Sequence, residues 1–173
     1  MTEVIAEWFD AERLVSAAET EDEIGTVLRM HLAIDQLLES YLDRKITADL
    51  KPYIKIPRYT GQKLSFAGAF GMPIPFVRAM HEVNGIRNEL AHKIKSLADD
   101  RVAQLARQVD RIKEFDENFT SLAQRYIELP RARPGERITF GSGNVRLDFL
   151  ISSFALLAAA SQWLAVQAGA PDV

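Results

Sequence analysis

At 173 residues, 47% of them hydrophobic, the chain is long enough to bury one good core and is most simply a single domain. It contains no cysteine, which excludes disulfides and thiolate metal sites and fits a reducing, cytoplasmic compartment. The net charge of −3 predicts no general affinity for nucleic acid, and the acidic N-terminus MTEVIAEWFD lacks the basic region and apolar run of a signal peptide.

The charge is unevenly spread. Residues 1–43 hold eleven acids against Arg13 and Arg29, a local charge of −9. Residues 44–63 hold Arg44, Lys45, Lys51, Lys55, Arg58 and Lys63 against Asp49 alone, a local charge of +5. Such a patch is either a solvated basic loop or a contact for a polyanion.

In chain order the pattern is almost all helical. Val4, Ile5, Trp8, Leu14 and Val15 mark a short amphipathic helix over 2–18. Thr20-Glu-Asp-Glu23 reads as a capping box opening a helix to about Lys45, whose broad apolar face is Ile24, Val27, Leu28, Ile34, Leu38, Tyr41 and Leu42. His31, Asp35 and Glu39 follow one another by a turn along that helix. They either form internal hydrogen bonds at the edge of the stripe or present acceptors to a cation elsewhere. Pro52, Pro57 and Gly61 make 46–62 a loop, and its Tyr53 and Tyr59 either anchor it to the core or, with the neighbouring cations, contact RNA. A short helix from Leu64 to Phe70 should stop at Gly71.

The chain is organised around Pro75 to Lys95, PFVRAMHEVNGIRNELAHKIK. Its apolar positions Phe76, Met80, Val83, Leu90 and Ile94 form the stripe of a buried helix face, with Pro75 suited to the first turn. Between Val83 and Leu90 an apolar residue is expected and Arg87 stands there. A guanidinium cannot be neutralised at ordinary pH, so it needs acceptors or a wet cavity. Asn88 and His92 follow, one turn apart. Gly85 costs roughly 1 kcal/mol against alanine in a helix and allows a bend or a close approach.

Ser96-Leu-Ala-Asp99 reads as another helix start, with Val102, Leu105, Val109, Ile112, Phe119, Leu122 and Tyr126 at helical spacing as far as Pro130. A helix near thirty residues would be long for a small domain, so its far end is expected on a partner chain. Residues 131–143, RARPGERITFGSG, read as a loop with room for a brief hairpin. Asn144 or Ser142 then caps a last helix, 144–168. Leu150 to Val166 approaches membrane-spanning length, but Ser152, Ser153, Ser161 and Gln162, an alanine run and the lack of a basic flank favour a buried helix in the core or a dimer interface. The fold class is therefore all-α, a single-domain bundle of about five to six helices.

Other chemistry finds little support. No glycine-rich phosphate loop is present, since GSGN lacks a preceding strand and a P-loop lysine. His31, His81 and His92 include no His-x-x-x-His pair, and no metal or other cofactor is expected. No serine sits in a nucleophile elbow, and no basic recognition helix stands out.

Arg87-Asn-Glu-Leu-Ala-His92, at the end of an apolar helix, resembles the R-N-x-x-A-H form of the HEPN signature. HLAIDQLLESYL, residues 31–42, looks like the second helix of that superfamily, and the spacing is nearest to the mannitol operon repressor-like group. The resemblance covers about residues 20–125 and leaves the basic insert and the apolar C-terminal helix outside it. It implies a helical bundle, often a two-fold homodimer, and in many members a metal-independent endoribonuclease of toxin or RNA-defence type. On that reading Arg87, Asn88 and His92 are catalytic. His92 is the acid/base, Arg87 holds the phosphate, and Asn88 orients His92 or the phosphate. His31, Asp35 and Glu39 support them, and Lys51, Lys55, Arg58, Lys93 and Lys95 are candidates for RNA contact. The partners implied are a second copy, RNA, and a protein antitoxin or regulatory partner. The competing reading, also found among HEPN domains, is a non-enzymatic transcriptional regulator or binding module. A third has Arg87 braced by Asp35 or Glu39 purely for structure.

Overall fold

A computed structural model describes residues 19–93 and 96–169, with side chains of 92, 93, 168 and 169 excepted. The amphipathic helix expected over 2–18, Ile94 and Lys95 lie outside the described residues. Within them the protein is the expected mostly helical bundle, five α-helices with one small hairpin.

The first helix, α1 (Glu23–Lys45), starts at Asp22, whose carboxylate accepts from Gly25 N at 2.9 Å. The cap is therefore not the Thr20 hydroxyl of a Thr-x-x-Glu box. Glu23 does not close one either, because its carboxylate accepts from Leu97 N across the fold at 3.0 Å. Val27, Met30, Ile34, Leu37, Leu38, Tyr41 and Leu42 are buried, steps of three and four that keep one stripe inward. Ile24, Leu28 and Leu32 are exposed. Of the expected apolar face, the first turns thus bury only Val27.

The helix α2 (Thr60–Ala69) begins four residues earlier than expected and ends at Gly71 as anticipated. Gly71 has φ +93°, Met72 N donates to Ala67 O and Gly71 N to Gly68 O, so two terminal carbonyls are satisfied by a turn that glycine enters without strain. The buried Tyr41 hydroxyl donates to Phe70 O at 2.7 Å and ties this end to α1. Burial pushes that phenol up to about 12, so it remains a donor.

The central helix α3 (Ile74–Lys93) buries Phe76, Ala79, Met80, Val83 and Ile86. Ile86 takes the core place between Val83 and Leu90, so Arg87 stands beside the stripe and not on it. The next helix, α4 (Asp99–Asp110), is preceded by Ala98 with no side-chain cap, and Ser96 plays no capping part.

The thirty-residue helix expected here is not formed. After Asp110 come a 3₁₀ turn (Arg111–Glu114), a second (Leu122–Gln124), and an antiparallel hairpin of β1 (Tyr126–Leu129) and β2 (Arg133–Thr139). The cause lies in turn-forming residues between the apolar ones. Asp110 accepts from Leu122 N at 2.8 Å, Asp116 accepts from Asn118 N, and these bonds replace helical ones. Ile112, Phe119 and Leu122 still reach the core, so the apolar spacing is used without the helix. The hairpin pairs Tyr126 with Thr139 and Ile127 with Ile138, and its register shifts between Glu128 and Leu129. It therefore begins before the 131–143 segment expected to hold it.

Asn144 caps α5 (Val145–Gly169), accepting from Leu147 N at 3.1 Å, while Gly141 and Gly143 take positive φ in the turn before it. Residues from Leu147 to Ala160 are buried on most sides against α1, α3 and α4. Trp163 meets Tyr41 and Phe76 with ring centres 5.5 and 5.9 Å away. The helix is long and apolar enough to cross a membrane by composition, and half of its most apolar stretch is enclosed by the rest of the fold.

Candidate functional site

Where α1, α2 and α3 meet, the polar residues separate into two clusters. The first surrounds Lys63, a lysine only 4% exposed. Its ammonium donates to Asp35 Oδ2 and Glu39 Oε2, both at 2.8 Å, and Thr60 Oγ1 donates to Asp35 Oδ1 at 2.7 Å. Burial acts to lower the lysine pKa, but the hydrogen bonds and charges of the two carboxylates outweigh it, so the net shift is upward. Asp35 and Glu39 are therefore committed to α2. Neither serves as an acceptor for Arg87, and the bracing expected between these residues is absent among the described contacts.

The second cluster joins His31 of α1 to Asn84, Arg87 and Asn88 of α3. Asn84 stands three and four residues before the other two, so one side of the helix carries all three. His31 Nε2 lies 3.1 Å from Asn84 Oδ1. With Nε2 as donor, the neutral ring keeps an acceptor at Nδ1. Burial holds the imidazole pKa below its ordinary value; the bond to Asn84 opposes this, the charge of Arg87 adds to it, Asp35 opposes it and Lys63 adds again. The result is an uncharged histidine near neutral pH beside a permanent cation.

Arg87 is half-buried. One of its terminal nitrogens donates to Asn88 Oδ1 at 3.0 Å, and its Nε is buried with no hydrogen-bond partner among the described residues. Asn88 is thus its one hydrogen-bond acceptor among the described residues. The backbone of α3 carries His92 one turn beyond Asn88, but its side chain, like that of Lys93, lies outside the described residues.

Arg101 of α4 offers a contrast. It lies 3.2 Å from Glu82 and 3.0 Å from Glu89, the latter off the line of its Nε–H, and Nη1 donates to Gln104. Gly85 makes room for it, since a Cβ there would lie 2.8 Å from Arg101 Nη2. The glycine in the middle of α3 therefore serves a close approach, one of the two uses expected of it. A groove of about 200 Å³ beside Arg101, lined by Ile86, Glu89, Leu90 and residues 96–98, includes no member of the His31 cluster.

In the basic segment, Tyr53 and Tyr59 are 86% and 67% exposed, so neither anchors the loop. That work is done by Ile46, Leu50, Ile54 and Ile56, which turn inward. Lys51 pairs with Asp43 at 3.3 Å with both groups exposed, while Lys55 and Arg58 have no acidic partner among the described residues. Lys63, counted above among the cations of the basic segment, is buried and not solvated, and no motif marked Asn84 or Thr60. The available signal for Asn84 was its position one turn before Arg87 and Asn88. Among the described residues no three of His, Asp and Glu converge as metal ligands would.

Compared with protein-family models, with curated proteins and with solved structures, the chain matches none.

Proposed function

We propose that the chain is a HEPN-like, metal-independent endoribonuclease acting through Arg87, Asn88 and His92. The observation that carries this reading is the state of Arg87. Its charge meets no carboxylate among the described residues, its buried Nε lacks an acceptor, and the acids of α1 that could have braced it are held by Lys63 and Thr60. A buried donor without an acceptor favours a ligand oxygen, and a phosphodiester supplies two.

In this reading the ribose 2′-hydroxyl attacks the adjacent phosphorus, the 5′-oxygen leaves, and a 2′,3′-cyclic phosphate remains. Arg87 binds the non-bridging oxygens and stabilises their charge as the phosphorane forms. His92 exchanges the proton with the attacking or leaving oxygen, and a second copy of the chain brings the second imidazole that the complete reaction needs. Asn88 holds Arg87 in place. His31, uncharged and bonded to Asn84, keeps the neighbouring wall polar without placing a second cation against Arg87.

The test is cleavage of mixed RNA in EDTA by wild type, Arg87→Ala and His92→Ala. Wild type should leave 2′,3′-cyclic ends, and each variant should lose on the order of a hundredfold to ten-thousandfold in rate. If all three are folded and equally inert, or equally active, the assignment is wrong.

A further inference from the structure

We propose that the loop 46–59 is a docking surface for single-stranded RNA, with Tyr53 and Tyr59 as stacking platforms and Lys55 and Arg58 as phosphate contacts. The choice of RNA rests on the ribonuclease reading above; the stacking surface itself rests on the loop.

The loop is ordered by its own backbone. Leu50 N and Lys51 N donate to Thr47 O, and Tyr53 N and Ile54 N donate to Leu50 O, two linked turns that fix the base of Tyr53. Its aliphatic side chains pack into the core while both tyrosine rings stand in solvent. The same loop carries exposed Lys55 and Arg58, neither with an acidic partner among the described residues.

The combination selects among anionic partners. An acidic protein surface would use the cations and has no need of two free rings. A membrane surface would take up a continuous apolar face, and with Ile46, Leu50, Ile54 and Ile56 packed inward the loop offers it only two phenols. A polynucleotide uses both features, phosphates against the cations and base faces against the rings. Stacking also requires unpaired bases, since a duplex hides their faces. The loop leads to the candidate site. Tyr59 precedes Thr60, which bonds Asp35 one turn from His31, and an added Cβ on Gly61 would lie 3.9 Å from Asn84 Nδ2.

The test is fluorescence anisotropy with a labelled, uncleavable 2′-O-methyl oligoribonucleotide of about twelve nucleotides, single-stranded or annealed to its complement. Wild type should prefer the single strand. A Tyr53→Ala/Tyr59→Ala double variant should weaken that binding by at least about tenfold and leave weak duplex binding unchanged, while Tyr53→Phe/Tyr59→Phe stays within about threefold of wild type. Because both rings are exposed, circular-dichroism melting should match wild type in all three proteins. Equal binding of single strand and duplex, no loss in the double alanine variant, or equally tyrosine-dependent binding of polyglutamate or anionic phosphatidylserine vesicles would each overturn the proposal. Tyrosine-dependent binding without cleavage of ordinary RNA by wild type leaves the loop assignment standing and removes the ribonuclease. Cleavage with tyrosine-independent binding does the opposite.

Discussion

Burial, and after it the charges of Arg87 and Lys63, lower the pKa of His31, yet of the two cations Lys63 alone meets carboxylates among the described residues. Lys63 is almost wholly enclosed, so without Asp35 and Glu39 its charge would be costly to bury. Arg87 is half-buried and keeps unused donors, which is why it and not Lys63 is the candidate for binding an anion. Between them His31 is held neutral, chiefly by burial, and this has a measurable consequence. Its folded pKa lies below the unfolded value of 6.5, so at intermediate pH the unfolded chain binds more protons. The stability contributed by the neutral ring is present above about pH 6.5 and is lost as pH falls through the folded value. Denaturant midpoints followed downward from neutral pH should fall more steeply for wild type than for His31→Gln, which keeps a hydrogen-bonding side chain without the titration. Parallel slopes would mean that His31 is not depressed.

At the scale of elements, the contact between α3 and α4 turns on Gly85. Alanine there would gain about 1 kcal/mol of helix propensity. Its Cβ would fall 2.8 Å from Arg101 Nη2, the far end of a flexible side chain whose ion pairs run through Nη1 and Nε, so the guanidinium can shift at small cost. The two effects oppose each other at similar size, so Gly85→Ala should change stability by less than about 1 kcal/mol in urea unfolding, below the full propensity gain. In an Arg101→Ala background the obstacle is gone, and the same substitution should stabilise by up to about 1 kcal/mol. An equal change in both backgrounds would show that Arg101 does not oppose the alanine. The broken helix after Asp110 belongs at this scale too. There the carboxylates of Asp110 and Asp116 accept from Leu122 N and Asn118 N, bonds that compete with continuing a helix whose apolar residues allowed it.

For the whole molecule, α5 is the shared wall against which α1, α3 and α4 close. Trp163 bridges Tyr41 of α1 and Phe76 of α3, and Phe76 in turn meets Phe115 edge-on at 5.7 Å. One ring thus couples the start of the central helix to the end of α1. Trp163→Ala should cost roughly 3 kcal/mol, the lower end for an aromatic truncation because the ring is half-buried. Unfolding followed by far-ultraviolet circular dichroism should remain a single transition. A loss under about 1 kcal/mol, or a second transition in wild type, would show that α5 is not integral to one core.

The local pattern was enough to determine the helical class, the central helix from its proline in the first turn with Phe76, Met80 and Val83 inward, the stop at Gly71 and a cap at Asn144 or Ser142, of which the structure uses Asn144. Each of these depends on a short stretch of chain, on periodicity or on a residue with one favoured backbone conformation. It was also enough to mark Arg87 as a cation beside an apolar face. The tertiary structure decided what the pattern left open. Asp35 and Glu39 could have met Arg87, but Lys63 reaches them, and no spacing reveals which of two cations on different helices comes nearer. The turns after Asp110 were hidden because 3₁₀ turns and strands can bring Ile112, Phe119 and Leu122 to the core as well as a helix does. The tyrosines of the basic loop had two possible directions. They face solvent while Ile46, Leu50, Ile54 and Ile56 pack against the core, and which side chains a loop turns inward depends on distant residues as well as on its own.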